Sequence, residues 1–238
     1  MSPWVPRLGL GLVAAGVIGA IVSISVGEGG PRATIEIEGI QETQRLLGGI
    51  HQDGARLGLG NAPVEIEVFN DLRSTDGAAF QSAVVAPLVE EFVRTDRAQM
   101  LLRHYSIGRS AITLPALAAT AAGEQGRQWQ YAELVMRNLD SAGPDGQADE
   151  EFLREVAELV PELDQQAWAT DFAAEQEAAA SEGLQAVPEA DAALGARLKI
   201  PAQPAVVVTG PGGREPLVDT PSLDAVRAAI ERVSVPPS

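Results

Sequence analysis

Residues 64–106 restrict this chain to a small set of folds. VEIEVFND (64–71) alternates apolar and polar side chains and is rich in β-branched residues, the pattern of a strand with two unlike faces. RSTDG follows, then AAFQSAVVAPLVEEFVRT, in which Phe80, Val84, Val85, Leu88, Phe92 and Val93 recur at helical spacing. The spacing predicts a helix over about 78–95, kinked at Pro87 because proline removes an i→i−4 hydrogen bond. QMLLRHYS (99–106) reads as a second strand. A strand, a helix and a strand in this order form a β-α-β unit with parallel strands and a right-handed crossover, which places the chain in the α/β class.

Beyond that unit the pattern is helical and then returns to sheet. An Ala/Leu-rich helix entered at Ser110 and continued by GEQGRQWQYAELVMRNL is predicted over 110–139. DEEFLREVAELV (149–160) is apolar at i, i+3, i+4 and i+7, and a further helical segment runs from near Leu163 to about Leu198 with breaks at Gly183 and Pro188. AVVVTGPGGREPLVD gives strand, glycine-rich turn and strand. Thr220 is a suitable N-cap, with Pro221 at the first helical position, for PSLDAVRAAIERV. The predicted order is therefore β-α-β, a helical insertion over about 108–198, and β-β-α, in a domain spanning 63–235. Upstream, ATIEIEGI reads as a short edge strand or extended linker, and the glycine-rich QETQRLLGGIHQDGARLGLGNAP reads as irregular. On this reading residues 27–62 are a linker and lead-in, and ordered structure begins near Val64.

The N-terminus sets the expected address. Leu8 to Val26 are 19 uncharged residues, enough at 1.5 Å per residue to cross a hydrocarbon core of roughly 30 Å. A transmembrane signal anchor over 8–26 is expected, rather than a cleaved signal peptide with its shorter apolar region. Arg7 precedes it and Glu28 follows it, so residues 1–7 are expected in the cytoplasm and the domain outside the plasma membrane. A net charge of −16 argues against nucleic acid as a partner.

Three phrases then carry a family resemblance over roughly 49–233. GIHQDGARLGLGNAPVEIEVFNDL, AAGEQGRQWQY and IPAQPAVVV stand in the right order around the right elements, and the chain resembles the DsbA-like thiol-disulfide oxidoreductases of the bacterial envelope. The resemblance implies a thioredoxin-like fold and makes Pro204, after Gln203, the counterpart of that family's cis-proline. It also implies a Cys-x-x-Cys motif at the start of the first helix. Here those positions hold Ser74, Thr75, Asp76 and Gly77, and the chain contains no cysteine. The family's chemistry needs a thiolate stabilised at a helix N-terminus and a second thiol to resolve the mixed disulfide. A serine hydroxyl forms no exchangeable bond to sulfur, and glycine has no side chain.

Two kinds of role remain open at that turn. Ser74, Thr75 and Asp76 are all helix-capping residue types, so the turn reads first as an ordinary helix start. The groove beside Gln203 and Pro204, which in the family pairs with extended peptide, needs no cysteine, so a protein- or peptide-binding or assembly module is expected. The alternatives are a non-redox enzyme that uses Ser74 on a small ligand, as the resemblance to kappa-class glutathione transferases would imply, and a structural relic. His51 and His104 show no metal-site spacing, and no cofactor motif is present, so no metal and no cofactor are expected. Trp129, Tyr131, Trp168 and Phe172 are expected in the core. The residues name neither the partner nor an oligomeric state.

Overall fold

The computed structural model describes residues 36–106, 113–142, 148–181 and 187–236. The expected membrane span at 8–26 and the helix start at Ser110 lie outside them. Among the described residues no helix is long and apolar enough to cross a membrane.

The predicted β-α-β unit forms the centre of a six-stranded sheet whose strands, from edge to edge, are β1 (Gln52–Asp53), β2 (Arg56–Leu57), β4 (Ala98–His104), β3 (Val64–Asn70), β5 (Ala205–Gly210) and β6 (Gly213–Leu217). Strand β3 (Val64–Asn70) lies parallel to β4 (Ala98–His104), with Val64 opposite Ala98 and Asn70 opposite His104. On its other side β3 pairs antiparallel with β5 (Ala205–Gly210), which continues into β6 (Gly213–Leu217) through the expected glycine turn. Alternation sends Ile66, Val68, Met100, Leu102, Val206 and Val208 into the main core, where each is fully buried. Burying one such side chain is worth about 1.5–3 kcal/mol. The opposite face holds a smaller cluster of Phe69, Ala205, Val207 and Ile200. Beside it Glu67 is buried and accepts from Arg103 at 3.0 Å and from Arg214 at 2.6 Å.

The crossover helix starts at Thr75, earlier than its apolar spacing predicts. It comprises α2 (Thr75–Phe80), a π-helical turn Gln81–Val85, α3 (Ala86–Leu88) and a second π-helical turn Val89–Val93. Pro87 sits between the two wide turns. Its missing N–H is accommodated by i→i−5 bonding, as in Ala86 N–H to Gln81 O, so the expected kink is a pair of π turns.

Among the described residues the insertion contributes five α-helices. The run predicted over 110–139 divides into α4 (Leu114–Gly123), capped by Thr113, and α5 (Gln128–Arg137). Gly126, with φ of 65°, turns the chain between them. Helix α6 (Glu150–Leu159) is capped by Asp149 and α7 (Gln165–Ala180) by Asp164, and α8 (Val187–Arg197) closes the insertion. Tyr131, Trp168 and Phe172 stack in series in its core, with ring centroids 5.8 and 5.2 Å apart. Helix α9 (Leu223–Val233) starts at Ser222, whose hydroxyl accepts from Ala225 N–H. Thr220 is not its cap: it has a positive φ and donates its N–H to Pro204 O.

The lead-in differs most from its reading as linker. Residues 40–47 form α1 (Ile40–Leu47), and β1 (Gln52–Asp53) and β2 (Arg56–Leu57) form a hairpin that extends the sheet beyond β4. Ile37, Leu46, Leu47 and Leu57 are buried in the main core, so the ordered domain takes in residues well before Val64. Residues 36–39 form neither strand nor helix.

Candidate functional site

The four residues singled out at the helix start are divided by burial. Ser74 is extended, and its hydroxyl accepts from Gly77 N–H at 3.2 Å as the N-cap of α2. Thr75 and Asp76 are exposed, and Asp76 stands in the first turn, where a carboxylate complements the helix dipole. Gly77 is buried. A Cβ placed on it would fall far inside contact distance of Asn70 Oδ1 and 2.9 Å from the Asp71 carbonyl oxygen.

Asn70 therefore belongs to the site, although alternation alone reads it as the last residue of a strand. It is fully buried, accepts from Asp71 N–H at 2.9 Å, and donates to Gly77 O at 3.2 Å and to Met136 S at 3.6 Å. Its carboxamide lies where a side chain at position 77 would have to go. Serine-capped helix starts are legible in sequence; a contact between residues seven apart across a turn is not.

The turn between Asn70 and Ser74 is held by charge. Asp71 Oδ1 accepts from Arg73 N–H and Nε, both at 3.0 Å, and Oδ2 from Arg73 Nη2 at 2.9 Å. Burial raises the Asp71 pKa, but the Arg73 bonds outweigh it and hold the carboxyl below its ordinary value. Arg73 Nη2 also reaches Ser106 Oγ at 3.3 Å.

Gln203 and Pro204 lie at the same end of the sheet. Phe69 pairs with Ala205, so Pro204 falls one residue beyond the ladder, level with Asn70. The Gln203–Pro204 peptide is cis. Pro204 is buried and Gln203 half-buried, and Pro204 O is taken by Thr220 N–H at 3.0 Å. Tyr105 rests edge-on against Phe69 and donates its hydroxyl to Ile200 O at 3.0 Å, which ties the segment before Pro204 to β4.

Beneath the turn is a residue whose role the sequence leaves unread. His104 is buried, its backbone N–H donates to Asp191 Oδ2 at 3.0 Å, and its Nε2 lies 3.0 Å from Gln128 Nε2. Burial pushes its pKa down to about 4, against the pull of Asp71. Asp191 of α8 is pushed up to about 6, also by burial, while the His104 N–H and Arg103 pull it the other way. His51, by contrast, is exposed. Among the described residues no group of three or more acidic, histidine or cysteine side chains is arranged to hold a metal.

The other two quoted phrases meet away from this turn. Gln52 Nε2 donates to Gln130 Oε1 at 2.6 Å, Trp129 N–H donates to Gln52 Oε1, and Trp129 Nε1 donates to Ala55 O at 2.8 Å. Together the 48–54 and 123–127 loops wall an open polar cleft of about 790 Å³. These phrases thus fix how the insertion docks on the edge of the sheet.

Comparison with known proteins agrees with this fold. The sequence profile of a family described as Thioredoxin matches residues 51–231. Among solved structures, oxidised BdbD from Bacillus subtilis is 18% identical, with 77% of this chain and 96% of that chain covered and a TM-score of 0.57. DsbA from Chlamydia trachomatis is 19% identical, with 75% and 90% covered and a TM-score of 0.59. Alpha-DsbA1 from Wolbachia pipientis is 16% identical, with 75% and 89% covered and a TM-score of 0.58. No curated protein sequence matches the chain. At these identities the structures share the fold of this chain.

Proposed function

The chain belongs to the thioredoxin family with a DsbA-like fold, and from that premise we propose that it is a redox-inactive member that holds a protein or peptide partner. The binding surface is the end of the sheet that carries residues 74–77 and Gln203–Pro204. The domain works outside the plasma membrane, tethered by the apolar segment at 8–26.

The observation that carries this reading is the Asn70–Gly77 contact. The space of the second thiol is occupied by a carboxamide with three hydrogen-bond partners, and the first position is a serine engaged as a helix cap. Such a turn is built as a rigid surface. Thr75 and Asp76 remain exposed on it, beside half-buried Gln203. The open cleft of about 790 Å³ lies elsewhere, between the 48–54 and 123–127 loops, which favours a polypeptide over a small molecule at this turn.

A photo-crosslinking residue in place of Thr75, in the full-length chain in its own membrane, tests the reading. The expected result is a discrete adduct with an extracytoplasmic protein, missing when the probe replaces exposed Glu231 on α9. Equal capture from both positions, or none from position 75, would refute it. Protease added to intact cells should digest the domain; full protection would overturn the proposed topology.

A further inference from the structure

Among the described residues of the sheet, a buried polar atom finds no partner in the protein, and a cavity lies beside it. His104 is 1% exposed, and its Nδ1 makes no hydrogen bond. The other ring nitrogen faces the Gln128 carboxamide nitrogen at 3.0 Å. That nitrogen can only donate, so Nε2 accepts and the neutral ring carries its proton on Nδ1. An N–H donor buried without an acceptor has given up its hydrogen bond to water and gained nothing in return.

The cavity, about 10 Å³, is lined by Asn70, Asp71, His104, Ser106 and Thr113 among others. That volume is roughly what one water molecule needs, and a buried water needs two to four polar partners. The lining selects among small occupants by charge. A cation would face the Nδ1–H donor, and an anion would face the Asp71 carboxylate. A neutral molecule that both accepts and donates suits both walls.

We infer that this cavity is a binding site for a single water, which accepts from His104 Nδ1–H and donates to the Asp71 carboxylate or the Ser106 hydroxyl. The water completes a chain of hydrogen bonds from Gln128 at the start of α5, through His104 at the end of β4, to the Asp71–Arg73 turn that carries Ser74. The helical insertion thereby positions the binding turn through a polar contact that the sheet alone would not supply. His104 is a positioning residue in this scheme. The site exists whether or not a partner binds above it.

Long-range ¹H–¹⁵N correlation spectra of the full-length chain at pH 7 should show His104 neutral and protonated on Nδ1. A rotating-frame cross-peak should connect that proton with water, and a high-resolution crystal structure should place one ordered water beside Nδ1 and Asp71. An Nε2-protonated tautomer, an absent cross-peak with empty density, or an ion in the density would each overturn the proposal. Gln128→Leu removes the donor that fixes the tautomer and should add a second histidine tautomer to the spectrum, which loss of packing alone would not do. His104→Phe should remove the water signal and speed amide exchange at Arg73 and Gly77 on the order of tenfold; unchanged exchange there would refute the coupling.

Discussion

Gly77 has no side chain, and Asn70 takes the space that one would need. The effect is tight because Asn70 is not a flexible tip: three partners hold it, and the Asp71 carbonyl closes the other side. Gly77→Ala is expected to destabilise the fold by about 2 kcal/mol, as overpacking of a full interior does. Shortening the obstacle should relieve part of that. In a double-mutant cycle, Asn70→Ser with Gly77→Ala should show coupling of about 1 kcal/mol, measured by denaturant unfolding. Additive losses would mean that the two residues do not compete for one space. The pair also explains how a helix start can be legible in sequence while its consequence is not. Ser74, Thr75 and Asp76 announce a cap by residue type, whereas nothing in the alternation of β3 distinguishes Asn70 from any strand end.

Helix α1 shows the same division among elements. Eight residues are too few to hold a helix in isolation, and Gly48 and Gly49 directly after it dominate any local reading. Its last carbonyls are satisfied from far along the chain: Arg94 Nη2 donates to Arg45 O at 2.6 Å and Leu46 O at 2.7 Å. Arg94→Ala should therefore loosen α1 selectively. Hydrogen–deuterium exchange over 40–47 is expected to rise on the order of tenfold while β3 and β4 stay protected. A uniform rise across the sheet would show instead that α1 and the core open together. The crossover helix is the contrasting case. Its apolar repeat is long enough to be read directly, and Pro87 changes only the hydrogen-bond pattern within it.

Across the whole molecule the two buried groups that meet at the end of β4 have opposite acid–base effects. His104, about 4 when folded against an ordinary 6.5, is bound by fewer protons in the native state, so its contribution is present above 6.5 and lost as pH falls toward 4. Asp191, about 6 when folded against 3.8, holds its proton more tightly in the native state, so its contribution is present below 3.8 and lost as pH rises through 6. Between pH 4 and 6 the slopes oppose each other, with Arg103 and Glu67 facing Asp191 and Asp71 facing His104. The summed contribution of these two groups is expected to be nearly flat there. Asp191→Asn keeps an acceptor for the His104 N–H and removes one slope, so the variant should lose stability toward acid by up to about 1.4 kcal/mol per pH unit. Denaturation midpoints between pH 4 and 6.5 measure this, and parallel curves for the two proteins would contradict it.

By itself the sequence determined the β-α-β unit, the helical insertion, the closing hairpin and helix, and the degenerate turn at 74–77. Each of these rests on periodicity, residue type or an ordered phrase, and these act over a few neighbouring residues. Tertiary structure alone decided that 40–57 joins the fold, that Asn70 fills the space beside Gly77, and that Gln128 and Asp191 bracket His104. Those outcomes depend on contacts between residues far apart in the chain, where burial and hydrogen-bond satisfaction override local propensity.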